Sequence, residues 1–266
     1  MLRTSVTKLL AVALTVVLAG VCLADGYLIH GRRPAPAGGG AGFDFDSANQ
    51  ATDSGTNTVT VSHTLGDASG NDRYVIAFCG YSDNDQGTTS TSSIYYDTGG
   101  GGINAEMTPI TADSGYHAYN DAGMYYILDA ALPTAAGTFD VTCTVNSTAD
   151  DVSMYVLSFT GAEQAAYDAW DSDGTTSTSI THTGDTSTTV DTTIIITCYQ
   201  NSGEGGTVTP DTPQTYRGLQ TLTGAQSDYG CSTVDGPDPA AAITTGYDST
   251  NSGRQVLLSA AIGPAP

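Results

Sequence analysis

The chain has 266 residues, with 7 basic and 28 acidic side chains and a net charge of −21. Such a field repels nucleic acid and anionic membranes, which excludes binding through a phosphate backbone. Hydrophobic residues make up 39%, below the roughly 45–50% of an average globular domain. The balance is rich in Thr, Ser, Gly and Asp, which suits strands joined by polar turns and disfavours helices.

The N-terminus reads as an export signal. Arg3 and Lys8 give a positive start, Leu9 to Leu23 is apolar, and Cys22-Leu23-Ala24 sets small residues before a cut at Asp25. The apolar run is short for a membrane span of about 20 residues, so cleavage of residues 1–24 is expected over an uncleaved anchor. Lipidation at Cys22 is a third reading, but Ala19 and Val21 stand where a lipobox wants Leu and a small residue. Cleavage leaves five basic and 28 acidic residues, a charge of −23 and no lysine. No membrane insertion is then expected. Residues 25–42 read as a Pro/Gly-rich linker, and 43–266 as a single folded domain.

Strand signals follow in order. In Asn57 to Leu65, Val59, Val61, His63 and Leu65 share one face while Thr58, Thr60, Ser62 and Thr64 share the other; this is the period of a half-buried strand. Tyr74–Cys79, Met154–Phe159 and Thr193–Cys198 are apolar on both faces, as central strands are. Tyr95-Tyr96 and Tyr125-Tyr126 should each send one ring in and one out. Phe139, Val141, Cys143 and Val145 alternate with polar neighbours. Turn signals fall between, at Gly66-Asp67, Asp97 to Gly102, Ser202 to Gly206, Gly236-Pro237 and Asn251 to Gly253. The expected class is all-β, an antiparallel two-sheet β-sandwich.

An internal echo runs through these strands. Thr58-Val-Thr-Val-Ser-His63-Thr matches Ser177-Thr-Ser-Ile-Thr-His182-Thr, and Cys79 and Cys198 each follow sixteen residues later, both offset by 119. Two similar strand pairs of one sandwich explain it better than a tandem duplication, because the flanking segments align poorly.

The runs Leu132-Pro-Thr-Ala-Ala-Gly-Thr-Phe-Asp-Val-Thr-Cys-Thr-Val and Val152-Ser-Met-Tyr-Val-Leu-Ser-Phe-Thr-Gly-Ala-Glu-Gln164, with Val-Thr-Val-Ser-His-Thr before Asn71-Asp-Arg-Tyr-Val-Ile-Ala-Phe, carry a resemblance. Over roughly Phe43 to Ile262 the chain resembles the jelly-roll, concanavalin-like β-sandwich domains of secreted bacterial and phage structural proteins. The resemblance implies a jelly-roll fold and an extracellular address. It implies no catalytic residue. The cysteines and the acidity depart from the usual pattern.

Four cysteines remain after cleavage: Cys79, Cys143, Cys198 and Cys231. In an exported chain they allow two disulfides with three pairings. Cys79–Cys198 is the first expectation because their strands look equivalent, and Cys231 is read as lying in a Gly-rich loop. Free buried thiols are the competing reading. His63 and His182 lie on apolar strand faces without a close ligand pair, so core histidines are expected over zinc ligands. Asp83-Asn-Asp85-Gln-Gly and Asp171-Ser-Asp173-Gly read as acidic turn loops. They are candidate Ca²⁺ sites, with Asp168 near the second, although neither has a twelve-residue Ca²⁺-loop pattern. Trp170, the single tryptophan, and Tyr167 form a candidate sugar platform, since sugar C–H faces stack on aromatic rings. The alternative is a tryptophan that plugs a sandwich edge.

Catalysis is not expected. Glu106, Glu163 and Glu204 are the three glutamates, and none belongs to a recognisable carboxylate pair. Neither a nucleophile elbow nor a phosphate loop is present. The expected role is a secreted, non-enzymatic binding or adhesion module for glycan or a cell-surface polymer. The alternative is an extracellular structural subunit of a filament, surface layer or virion that pairs with copies of itself through sheet edges.

Overall fold

The alternating segments become strands in a computed structural model that describes residues 43–66, 72–82, 91–98, 104–111, 120–189, 191–202, 206–221, 227–237 and 239–266. They are β1 (Asp44–Leu65), β2 (Tyr74–Ser82), β3 (Thr91–Asp97), β4 (Asn104–Glu106), β5 (Thr108–Thr111), β6 (Asn120–Leu128), β7 (Gly137–Thr160), β8 (Ala169–Thr175), β9 (Ser179–Ser187), β10 (Ile194–Asn201), β11 (Val208–Pro210), β12 (Thr215–Thr221), β13 (Asp228–Asp235), β14 (Ala242–Ser249) and β15 (Gln255–Ile262). A 3₁₀ turn at Asp129–Ala131 is the one helical element among the described residues. The chain is all-β, and every named strand pairing is antiparallel.

Two long strands organise the first half. β1 pairs with β7 from Asp44 opposite Thr160 to Leu65 opposite Gly137. A bulge breaks the pair, since Thr56 faces Ala149 but Thr58 faces Thr144. Gly55 sits at this break with φ +64°, a conformation that glycine adopts without a Cβ penalty. On its other edge β7 pairs with β2 through residues 151–159 and with β3 through 141–145. The two arms of the β1–β7 ribbon thus serve two layers. Val59, Val61, Ile94, Val141 and Cys143 from one arm meet Val75, Ala77, Cys79, Met154 and Val156 from the other in one buried cluster. Tyr96 and Tyr125 are buried in that cluster while Tyr95 and Tyr126 are partly exposed, as strand parity requires.

The second sheet has the order β12-β13-β10-β15-β8 and the third β11-β14-β9. One face of the second sheet sets Ile196, Cys198, Tyr229 and Leu258 against Ile76, Phe78, Tyr155 and Leu157. Its other face sets Tyr199 and Leu257 against Ile180, Val208 and Tyr247 of the third sheet. β2, β10 and β15 are buried along their whole length, which is why their sequences read apolar on both faces.

The same arrangement occurs twice. The order β5-β6-β2-β7-β1 in residues 44–160 matches β12-β13-β10-β15-β8 in residues 169–262. β3-β7-β1 likewise matches β11-β14-β9. The sequence echo therefore marks equivalent strands of two sets, not two strand pairs within one set. His63 faces Phe139 across the β1–β7 pair, and His182 faces Thr245 across β9–β14.

Two disulfides form, Cys79–Cys143 and Cys198–Cys231. The pairing of Cys79 with Cys198 expected from the echo is not made. Cys79 points into the core of the first half, whereas Cys198 points into the core between the halves. Cys231 is also not in a loop: it is buried in β13, directly opposite Cys198. Arg73 locks the turn ends of the first half. Its buried guanidinium donates to Asp129 Oδ1 at 2.6 Å, Gly66 O at 3.2 Å and Pro133 O at 2.7 Å.

Candidate functional site

β8 is the outer strand of the second sheet. It pairs with β15 from Ala169 opposite Ala261 to Thr175 opposite Gln255. Asp171-Ser-Asp-Gly174 is therefore strand, not the turn loop its composition suggests. Asp, Ser and Gly are weak strand formers, but β15 offers a full row of backbone groups to pair with, and that context overrides propensity.

Trp170 stands opposite Ala260, whose side chain lies in the core between the halves. The indole shares that face but remains 42% exposed, the one large exposed hydrophobic side chain among the described residues. Tyr167, two residues before β8, is partly buried. Its ring meets Tyr126 edge-on at 6.2 Å, and Tyr126 stacks on the buried Tyr74 at 5.5 Å. This row runs from core to surface and fixes Tyr167 in place. Trp170 projects from a paired strand with part of its indole exposed.

The acidic residues do not share that face. Asp171 and Asp173 alternate with Trp170 along β8 and so project from the opposite side of the strand. Asp171 Oδ1 accepts from the Ser172 N–H at 2.8 Å, and Asp173 Oδ1 from the Gly174 N–H at 2.6 Å. Asp168 turns both oxygens to Thr189, accepting its N–H at 2.7 Å and its hydroxyl. Among the described residues, no three His, Cys, Asp or Glu side chains gather as a metal ligand group. Asp83 and Asp85 lie outside the described residues.

His63 is a buried core histidine. Its Nδ1 lies 3.0 Å from Asn49 Oδ1, and its ring packs edge-on against Tyr96. Burial lowers its pKa to about 4, partly offset by Asp46. The backbone of His182 pairs within β9, and its side chain lies outside the described residues. With all four cysteines bridged, no thiolate remains in either half to complete a zinc set.

One polar locus escaped sequence reading. Ser82, Asp151, Ser153, Gln200, Ser227 and Tyr229 are all buried. They extend the apolar inter-half faces of β2, β7, β10 and β13. The available signal is that Ile76-x-Phe78-x-Gly80-x-Ser82 and Leu157-x-Tyr155-x-Ser153-x-Asp151 turn polar in step, on strands that stay buried.

No protein-family model matches the chain, and no curated protein matches it. Among solved structures it is similar to an "Enterococcal surface protein, partial N-terminal region", at 11% identity over 87% of each chain and a TM-score of 0.26. Among the described residues, no helix is long and apolar enough to cross a membrane.

Proposed function

We propose that the protein is an extracellular binding module that holds glycan or a similar cell-surface polymer at the β8 edge. The observation that carries this reading is Trp170, a half-exposed indole on a paired strand, three residues after the ring-packed Tyr167. Aromatic side chains held this way present contact area at little entropic cost. The two buried disulfides support an oxidising, extracellular address. The strand orders β1-β7-β2-β6 and β1-β7-β3-β4, repeated in the second half without a counterpart of β4, support a jelly-roll reading of each half. Asp171 and Asp173 project away from Trp170, so an ion held by them would not sit on the indole's face.

The competing role, assembly through sheet edges, is disfavoured by the edges themselves. Among the described strands, β1 pairs with β7 alone and β8 with β15 alone. Both carry acids, Asp44 and Asp53 on one and Asp171 and Asp173 on the other, and charges on an edge oppose strand addition.

The test is a glycan array with the wild-type chain and Trp170→Ala. Removing a central aromatic contact should weaken binding roughly thirtyfold or more, the scale of a hot-spot truncation. The thermal midpoint should barely move, because the indole is not a core residue. Undiminished binding by Trp170→Ala refutes the platform. Large ordered assemblies in light scattering would transfer the reading to a structural subunit.

A further inference from the structure

We infer that the buried oxygen cluster formed by Ser82, Asp151, Ser153, Gln200, Ser227 and Tyr229 is a binding site for a hard, oxygen-preferring cation of sodium or calcium type. The cluster lies where β2 and β7 of the first half face β10 and β13 of the second. Register places it: Ser82 is opposite Asp151, Gly80 opposite Ser153, and Gln200 opposite Tyr229. Each pair ends an inter-half face that is apolar until that point.

These residues converge closely on Gly80. An alanine Cβ at Gly80 would sit 2.9 Å from Gln200 Oε1 and 2.9 Å from Tyr229 Cε1. Gln200 donates its Nε2 to Tyr81 O at 2.5 Å, which leaves Oε1 facing the cluster. Ser82, Ser153 and Ser227 stand around the Tyr229 phenol, and burial, with Asp151 nearby, pushes its pKa well up. Tyr229 Oη, Ser153 Oγ, Ser227 Oγ and Gln200 Oε1 are buried without a partner of full hydrogen-bonding geometry, although the serine hydroxyls lie close enough to the Tyr229 phenol to offset part of its upward pKa shift. Ser82 Oγ donates to Asp151 Oδ2 at 3.4 Å.

Buried oxygens without well-formed hydrogen bonds are costly unless something binds them. The sign of that occupant follows from the donor set. A carboxylate and an amide oxygen are acceptors without a proton to give, and hydroxyls turn their lone pairs to a cation as readily. Oxygen-only sets with few carboxylates are those that Ca²⁺ and smaller-charged hard ions occupy. An ion here would join the two halves, since the ligands come from both. The inference is independent of Trp170, which lies on β8.

The experiment uses the full chain, exchanged into choline chloride with chelator. Its thermal midpoint is followed as NaCl, KCl, MgCl₂ or CaCl₂ replaces choline at constant ionic strength, and bound metal is counted by elemental analysis. A saturable rise in midpoint with Na⁺ or Ca²⁺ is expected, with one ion per chain. Asp151→Asn and Ser153→Ala should raise the half-saturating concentration roughly ten- to a hundredfold. The double variant Asp171→Asn/Asp173→Asn should leave it unchanged. If Asp151→Asn does not fold, Ser153→Ala and Tyr229→Phe decide the matter. No saturable response, which would mean that water fills the cluster, overturns the inference. So does an unchanged response in the variants that fold.

Discussion

Replacing both cysteines of the first bridge, as Cys79→Ala/Cys143→Ala, perturbs the fold at a defined point. Cys79 lies on β2 and Cys143 on the first arm of β7, and neither faces the other across a ladder. Cys79 pairs with Gly123 and Met154, Cys143 with Val59 and Ile94. The bond therefore ties one layer to the next. It closes a loop of sequence separation 64. Chain-entropy loss in the unfolded state for a loop that long stabilises the fold by about 4 kcal/mol. The second bridge has a separation of 33, so its contribution on the same basis is roughly 0.6 kcal/mol smaller. The assay is urea unfolding followed by intrinsic fluorescence, with both paired variants and the reduced wild type. The first variant should lose about 4 kcal/mol, the second slightly less, and each should show a larger m-value because its unfolded chain is less constrained. A loss under about 1 kcal/mol from the first variant with an unchanged m-value would refute the loop argument.

Two further perturbations separate other contributions. Arg73→Met leaves the Gly66 and Pro133 carbonyls and the Asp129 carboxylate without their cation. Breaking a buried pair by removing one partner costs about 3–5 kcal/mol; Asp129 is 28% exposed and rehydrates, so the lower end is expected by denaturant unfolding. His63 sets a pH dependence. Its folded pKa of about 4 lies below its unfolded 6.5, so the unfolded state binds more protons between those values and stability rises with pH there. The stability is fully present above about pH 6.5 and is lost as pH falls toward 4, a span of about 3 kcal/mol. His63→Leu should flatten that limb of a pH–stability curve. A limb of the same slope in the variant would assign it to other groups.

Legibility varied with how each strand is solvated. The second arm of β1 was plain because one face is wet and the other buried, which writes period two into Val59, Val61, His63 and Leu65. The first arm was not. In Asp44 to Ser54 most residues are half-buried and polar, so no alternation survives although the backbone pairs on both sides of a bulge at Asp46. β8 failed for a related reason, since Asp-Ser-Asp-Gly is turn chemistry held in a strand by β15. Trp170 stood out in the sequence as the single tryptophan in a polar run, and its indole is 42% exposed. The buried oxygen cluster was missed because Gly80, Ser82, Ser153 and Gln200 look like ordinary polar strand ends. Only the pairing of two halves shows that these ends stay buried.

The cysteine echo misled for a sharper reason. Side chains alternate along a strand, so a shift of one residue exchanges the two faces. The offset of 119 aligns Cys79 with Cys198, but the ladders align Cys79 with Tyr199. Cys79 sits between Gly123 and Met154, and Tyr199 between Gly230 and Leu257. Following the histidines, Cys143 corresponds to Ser249. The first half thus has a disulfide where the second has the Tyr199 phenol beside the Ser249 hydroxyl. Conversely, Cys198–Cys231 corresponds to Phe78 opposite Met124, an apolar pair facing the same inter-half core. Each half is cross-linked where the other is merely packed. One bridge joins two layers inside its half, while the other staples neighbouring strands of a single sheet. Spacing alone could not assign them, because the parity of β10 relative to β2 is fixed by what each face touches.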